Sequence, residues 1–176
     1  HEPNVVLVVD RTRAVRPGMG WLAGREQPGE WALPEEAFSH RDAMLTKAEV
    51  RALVLARLGP RLGDLVWDIG AGSGSVAVEC ARLGAAVVAV EQGPLEHLEA
   101  NVASFGVDVL VVPGTAPEAL VGLPDPDAVF VGGGGEAVAD IVRAAVVRGP
   151  RVVVVALAAV DRVAEVQRAL SPYRVD

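Results

Sequence analysis

Short, continuously apolar runs alternate with amphipathic segments along the chain from about residue 64 onward. The runs are rich in β-branched residues and are bounded by turn residues, as is typical of buried strands. Five strands are therefore predicted, over residues 64–69, 85–91, 107–112, 127–135 and 151–158. Because these runs are apolar throughout, rather than at every second position, both faces of their sheet should be covered.

The segments between these runs predict helices, over 76–83, 94–104, 136–147 and 160–170, with a short helix near 117–121. This alternation predicts an α/β fold with an open, mostly parallel sheet and helices on both faces. In such folds, ligands bind beyond the carboxyl ends of the strands.

Another helix is predicted directly before the first of these strands. Thr46 and Glu49 have the spacing of a capping box, which favours a helix start there. Gly59 and the proline after it should end the helix. Its buried face is predicted from apolar residues at helical intervals, Val50, Leu53, Val54 and Leu58.

Residues 1–30 differ from the rest of the chain. A strand is predicted over 4–10, but Arg, Gly, Pro and isolated Trp residues then follow without a period. We interpret 1–30 as a linker or the tail of an upstream domain, and 31–176 as the main domain. A last strand begins at Tyr173, and the final strands of the sheet are expected to lie beyond this sequence.

The composition narrows the possible partners. A net charge of −7 argues against nucleic acid, which needs a basic surface. A single cysteine, Cys80, allows no disulfide within the chain and no cysteine-based metal site, and it fits a cytoplasmic location. No apolar run reaches the ~20 residues that span a bilayer. From the single cysteine and the short apolar runs, neither a metal nor a membrane partner is predicted.

A glycine loop follows the first predicted strand, with Gly70, Gly72 and Gly74 at alternating positions. Glycines permit positive φ and let a ligand approach the main-chain amides, and the following helix N-terminus offers unpaired N–H groups. Glu91 ends the next strand, about 20 positions beyond Gly70, where an acid can accept hydrogen bonds from ribose hydroxyls. Loop and acid together indicate a nucleoside-containing small molecule.

The spacing within the loop separates two enzyme classes. It reads Asp-x-Gly-x-Gly-x-Gly, whereas the NAD(P)-binding oxidoreductases use Gly-x-Gly-x-x-Gly to hold a pyrophosphate. The run resembles motif I of the class I methyltransferases that use S-adenosylmethionine. Alternatives that remain open are a tight turn without a ligand and a non-catalytic interaction module.

Longer stretches carry a closer resemblance. In order, they are "LPEEAFSHRDAMLTKAEVRALVLARL", "GDLVWDIGAGSGSVAVE", "GTAPEAL" and "PDAVFVGGGG". Over about residues 31–170, the chain resembles the C-terminal domain of the precorrin-6Y C5,15-methyltransferase (decarboxylating) family. The resemblance implies a Rossmann-like class I methyltransferase fold.

That family resemblance also implies an activity. It is S-adenosylmethionine-dependent methylation of a precorrin at C-15, with decarboxylation of the C-12 acetate side chain, in cobalamin biosynthesis. It further implies an upstream tetrapyrrole methyltransferase domain and self-association, as in the tetramers of free-standing members. A class I methyltransferase acting on another small molecule or on RNA stays open, as does, less favoured by the loop spacing, an NAD(P)-binding oxidoreductase.

The resemblance assigns site residues by motif, and no catalytic acid or base is predicted. The residues expected to contact the cofactor are Thr46, Asp68, Gly70, Ala71, Gly72, Ser73, Gly74, Glu91, Thr115 and Ala116. Gly132 and Gly133 should leave room for the large ring of the substrate. Arg41, Lys47 and Arg51 cluster around the first helix, where a cation can grip the substrate's carboxylates. The chain departs from the family pattern at Ala43, at Gln92-Gly93 and after strand five.

Overall fold

The computed structural model describes residues 31–40, 45–157, 162–171 and 173. The strands are β1 (Leu65–Ile69), β2 (Ala86–Glu91), β3 (Leu110–Pro113), β4 (Ala128–Val131) and β5 (Val152–Val155). The helices are α1 (Ala48–Leu58), α2 (Ser75–Arg82), α3 (Glu96–Phe105), α4 (Val138–Val146) and α5 (Val163–Ala169). Short 3-10 helices cover Glu35–Ala37, Glu118–Leu120 and Gly135–Ala137.

All five strands run parallel, in the order β3-β2-β1-β4-β5. Ile69 at the end of β1 lies beside Val90 of β2 on one side and Val131 of β4 on the other. The chain therefore reverses its winding direction at β1, which makes the β1/β4 junction the switch point of the sheet. Such a junction is where open α/β sheets bind ligands.

Each face of the sheet carries a separate hydrophobic core. Because neighbouring residues of a strand point to opposite faces, Val66 packs with α1, α2 and α3, whereas Trp67 packs with α4 and α5. Both side chains are fully buried. The predicted α/β fold with helices on both faces is confirmed.

The described helix and strand positions agree with the predictions, with differences at their ends. The strand predicted over 107–112 covers Leu110–Pro113, and the one predicted over 127–135 ends at Val131. Strand 4–10 and most of the last predicted strand, after Tyr173, lie outside the described residues. In the part of the chain that the structure describes, no helix is long and apolar enough to cross a membrane.

The prediction for α1 is wrong at its start and at two of the four positions of its buried face. The helix begins after Lys47, and no side chain caps it, so the expected capping box is not formed. Val50 and Leu53 are exposed by 44% and 58%. Val54 and Leu58 are buried as predicted, and Arg51 and Leu55 complete the buried face. The predicted end is confirmed, because Gly59 adopts a left-handed φ of 52°.

Candidate functional site

A cleft of about 550 Å³ opens at the carboxyl ends of β1, β2 and β4. Its position matches the switch point of the sheet. The predicted site residues that line it are Thr46, Gly70, Ala71, Gly72, Glu91, Thr115, Ala116, Gly132 and Gly133. Residues far apart in the sequence are thus brought to one edge of the sheet.

The glycine loop folds back from β1 toward β2. The amides of Gly70 and Ala71 both donate to the carbonyl of Val90, at 2.9 and 3.1 Å. Gly70, Gly72 and Gly74 have φ values of 73°, 57° and 74°. Since these left-handed conformations are rarely adopted by other residues, the alternating glycines are explained by the path of the loop.

The end of β1 is in close contact with the glycine run after β4. A Cβ placed on Gly70 would lie 2.8 Å from both the N and Cα atoms of Gly133. The amide of Gly132 donates to the carbonyl of Ile69 at 2.9 Å. Here glycine is needed for packing between main chains at the base of the cleft.

Glu91 connects the end of β2 to the glycine loop. One carboxylate oxygen, Oε2, accepts a hydrogen bond from the amide of Gly72 at 2.7 Å, and Oε1 accepts one from Gly93 at 2.7 Å. A carboxylate has about four lone-pair sites. Glu91 can therefore hold the loop and still accept hydrogen bonds from a ligand.

Three predicted contact residues, in or next to the loop, do not line the cleft. Asp68 is buried, and its Oδ2 accepts from the amide of Ala77 at 2.9 Å, in the first turn of α2. The carbonyl of Ser73 accepts from the side chain of Asn101 at 2.8 Å. Gly74 immediately precedes α2. These residues fix the shape of the loop.

Burial raises the pKa of Asp68 to about 7, and the negative charge of Glu91 adds to the rise, while the hydrogen bond from Ala77 opposes it. Within the described residues, Oδ1 of Asp68 has no hydrogen-bond partner. A carboxyl group in this setting favours its protonated form.

This environment predicts a pH-dependent stability. A folded-state pKa above the unfolded value means that the contribution of Asp68 to stability declines as the pH rises from about 4 to about 7. In Asp68→Asn, which lacks this titration, the free energy of unfolding relative to wild type should rise by roughly 3 kcal/mol between about pH 5 and about pH 8. Urea denaturation across that range measures it. The profile of the exposed Asp108→Asn should parallel wild type, and a parallel profile for Asp68→Asn would contradict the prediction.

The rim of the cleft is formed by segments after β3 and before α1. Thr115 and Ala116 follow β3, and the carbonyl of Thr115 accepts from the amide of Ala119 at 2.9 Å. Thr46 lies on the segment that leads into α1. Its carbonyl accepts a hydrogen bond from Nη1 of Arg51 at 2.6 Å.

Of the predicted cations, the two that the structure describes, Lys47 and Arg51, do not line the cleft. Arg51 is fully buried, and its Nε lies 3.2 Å from Oε1 of Glu79, so the prediction that it grips substrate is wrong. Burial lowers the pKa of Arg51, and the charge of Glu79 opposes that change. Lys47 is 69% exposed and pairs with Glu35 at 3.1 Å. Arg41 lies outside the described residues.

Sequence reasoning missed several residues that line the cleft. They are Leu45, Ile69, Val90, Gln92, Gly114, Gly134, Glu136, Ala137 and Ile141. Glu136 had a usable signal, since it directly follows the glycine run at the end of β4. The apolar members have no such signal, because their spacing is the ordinary spacing of core residues.

An open parallel sheet, a glycine loop after β1 and an acid at the end of β2 define a class I methyltransferase fold. A SAM-dependent O-methyltransferase from Thermotoga maritima shares this fold, with a TM-score of 0.60 over 74% of this chain and 51% of that one, at 19% identity. Residues 36–171 match the precorrin methyltransferase domain, and the chain belongs to that family.

Several relatives carry related names. A "Precorrin-6Y C(5,15)-methyltransferase [decarboxylating]" of Sinorhizobium sp is 47% identical over 106 residues, which cover 57% of this chain and 26% of the relative. A "Probable cobalt-precorrin-6B C(15)-methyltransferase (decarboxylating)" of Pyrobaculum calidifontis is 41% identical, over 70% of this chain and 68% of the relative. The chain thus spans about a quarter of the length of the first relative and about two thirds of the second.

Among solved structures, the precorrin-6Y C5,15-methyltransferase from Geobacter metallireducens superposes with a TM-score of 0.75 at 32% identity. The match covers 81% of this chain and 80% of that one. The similarity therefore extends over about four fifths of both chains.

Proposed function

We propose that this chain binds S-adenosylmethionine in the cleft and methylates a precorrin at C-15, with decarboxylation of its C-12 acetate side chain, in cobalamin biosynthesis. The observation that carries the proposal is the hydrogen bond that the amide of Gly72, in the glycine loop, donates to the carboxylate of Glu91. This bond brings an acid next to a glycine loop, whose main chain is not covered by side chains, at the switch point of the sheet. The chain is also a member of the precorrin methyltransferase family.

The lining of the cleft fits this cofactor. Glu91 would accept hydrogen bonds from the ribose hydroxyls, and the amino-acid end of the cofactor would lie against the main chain of Gly70 to Gly72. Ala116 and Thr115 would lie against the adenine. Among the described residues that line the cleft, the charged ones are Glu91 and Glu136, both acidic. A cleft lined by one sign of charge favours a ligand of the other, and the sulfonium is cationic.

When bound, the cofactor would supply an activated methyl group on its sulfonium centre. The task of the protein is alignment, because an in-line displacement depends on the position of the two reacting atoms. Gly132 and Gly133 leave one side of the cleft without side chains, which suits a large flat ring. Decarboxylation needs an electron sink, which the conjugated ring itself can provide, so no acid or base is assigned to this step.

Two cations are proposed to hold carboxylates of the substrate, Lys47 and Arg41. Lys47 lies next to Thr46 at the rim, and its exposed ammonium group pairs with the partly exposed Glu35. Surface pairs of this kind are weak, so Lys47 can exchange Glu35 for a substrate carboxylate at little cost. Arg41 is carried over from the family resemblance alone.

The proposal extends to the whole protein. We propose an upstream tetrapyrrole methyltransferase domain before residues 31–176, assembly into a homo-oligomer such as a tetramer, and a cytoplasmic location. The greater length of the Sinorhizobium relative supports the first of these, since the chain covers 26% of it.

Calorimetry with S-adenosylmethionine and with NAD tests the cofactor. Wild type should bind S-adenosylmethionine, and Glu91→Gln should bind it roughly tenfold or more weakly, because a hydrogen bond to a charged group contributes about 1.5–3 kcal/mol. Glu99→Gln, an exposed change on α3, should bind like wild type. Binding of NAD without binding of S-adenosylmethionine would overturn the proposal.

Mass spectrometry of the product tests the reaction. Incubation with a precorrin and S-adenosylmethionine should give a product that has gained one methyl group and lost one carboxyl group. A product with the methyl group but with all carboxyl groups retained would contradict the decarboxylating part of the proposal alone.

A further inference from the structure

A buried ion pair lies behind the rim of the cleft. Nε of Arg51 and Oε1 of Glu79 are 3.2 Å apart, and both side chains are shielded from solvent. Taking two charges out of water costs several kcal/mol for each ion, and apolar residues of similar size often stabilise a core equally well. Stability alone therefore does not explain this pair.

The guanidinium of Arg51 also binds two main-chain carbonyls. Nη1 donates to Thr46 at 2.6 Å, and Nη2 donates to Leu33. The ring of Phe38 lies under the guanidinium, 4.6 Å from its carbon to the ring centroid. A planar fork can reach several partners in fixed directions at once, which the single ammonium of a lysine cannot do.

The carboxylate of Glu79 holds the same segment from the side of α2. It accepts hydrogen bonds from the amides of Leu33 at 2.7 Å and Ala32 at 3.2 Å, and from Nη1 of Arg82 at 3.4 Å. Helix α2 begins directly after the glycine loop. The ion pair thus connects the lining of the cleft at Thr46 to the helix that follows the glycine loop.

We infer that Arg51 and Glu79 are positioning residues for the cofactor cleft. The buried guanidinium fixes the carbonyl of Thr46, and with it the wall formed by Leu45 and Thr46, at a set distance from the glycine loop. This inference rests on the proposed cofactor. The ion pair would then fix the geometry of the cleft, and buried charges are retained for such a purpose in some proteins.

The double variant Arg51→Met/Glu79→Leu separates positioning from stability. It removes both charges together, so the midpoint of thermal unfolding should fall less than in Glu79→Gln, although the main-chain groups of Ala32, Leu33 and Thr46 lose their side-chain partners. The dissociation constant for S-adenosylmethionine, measured by calorimetry, should rise roughly tenfold, which corresponds to about 1.4 kcal/mol. Unchanged affinity in this variant would overturn the inference.

Two further variants serve as a control for lost stability and as a test of the part played by Thr46. Val54→Ala removes buried methyl groups from α1, so it should lower the unfolding midpoint while leaving the affinity unchanged. Thr46→Ala should weaken binding less in the double variant than in wild type, because residues that act on one wall are not additive. Equal losses in both backgrounds would contradict an action through Thr46.

The outcomes also separate this inference from the proposed function. If wild type does not bind S-adenosylmethionine, the proposed cofactor is wrong. If wild type binds it and the double variant does not fold, Arg51→Lys takes its place. It keeps a charge opposite Glu79 but cannot hold Thr46 and Leu33 together, so weaker binding is expected, and wild-type affinity would again overturn the inference.

Discussion

Gly70→Ala is expected to abolish cofactor binding and to lower the free energy of unfolding by roughly 3–5 kcal/mol. The residue has a φ of 73°, and its new Cβ would lie 2.8 Å from N and Cα of Gly133. Those atoms belong to the main chain and cannot rotate away, so the ends of β1 and β4 must separate. Calorimetry with S-adenosylmethionine and denaturation in urea measure the two effects.

Gly149→Ala is the matched control for this change. Gly149 has a nearly equal φ of 76°, but no atom lies within 4 Å of an added Cβ. This variant should show only the cost of the left-handed conformation, about 1–2 kcal/mol, and should bind the cofactor normally. If both alanine variants lose the same stability, the close approach of Gly70 to Gly133 is not what requires glycine. Normal cofactor binding by Gly70→Ala would show that the glycine loop is not part of the cofactor site.

The fold could be predicted because its strands are apolar on both faces. The internal strand β4 is buried at every position, whereas the valines of the edge strand β5 are all partly exposed, yet both are similar apolar runs in the sequence. Periodicity therefore predicted the number and direction of the strands. It could not predict their order, which is set by packing between segments distant in the chain.

The candidate site could be predicted in part, for a related reason. Gly70 and Glu91 each follow a strand, and the carboxyl ends of parallel strands meet at one edge. Leu45 and Ile141 reach the same cleft from helix-side segments, and nothing in their local sequence marks them. Thr115 and Ala116 were assigned from the family resemblance, and the structure places them on the rim.

The wrong predictions around α1 have a common physical cause. The capping box assumed that Thr46 starts the helix, but its carbonyl binds Arg51 and the helix begins two residues later. Periodicity put Val50 and Leu53 on the buried face, because it treats an arginine as exposed. Arg51 turns inward for Glu79, a partner 28 positions away that no local pattern can indicate.

Glu79→Gln is expected to lower the free energy of unfolding by about 3–5 kcal/mol, because it leaves the guanidinium of Arg51 buried without a counter-charge. Glutamine keeps the size of the side chain, so lost volume does not contribute. The double replacement of Arg51 and Glu79 by apolar residues should be more stable than this single variant, although it changes more atoms. Urea denaturation of the three proteins at one pH measures the order.

Asp140→Asn is the control for Glu79→Gln, since it removes the acid of a pair with Arg143 in which both side chains are more than half exposed. Its effect should stay below about 1 kcal/mol, because water screens such pairs. A similarly small loss in Glu79→Gln would mean that Arg51 finds enough compensation in the carbonyls of Thr46 and Leu33. The double variant should be more stable than Glu79→Gln only if the uncompensated charge dominates. Cavity formation alone would make the double variant the less stable of the two.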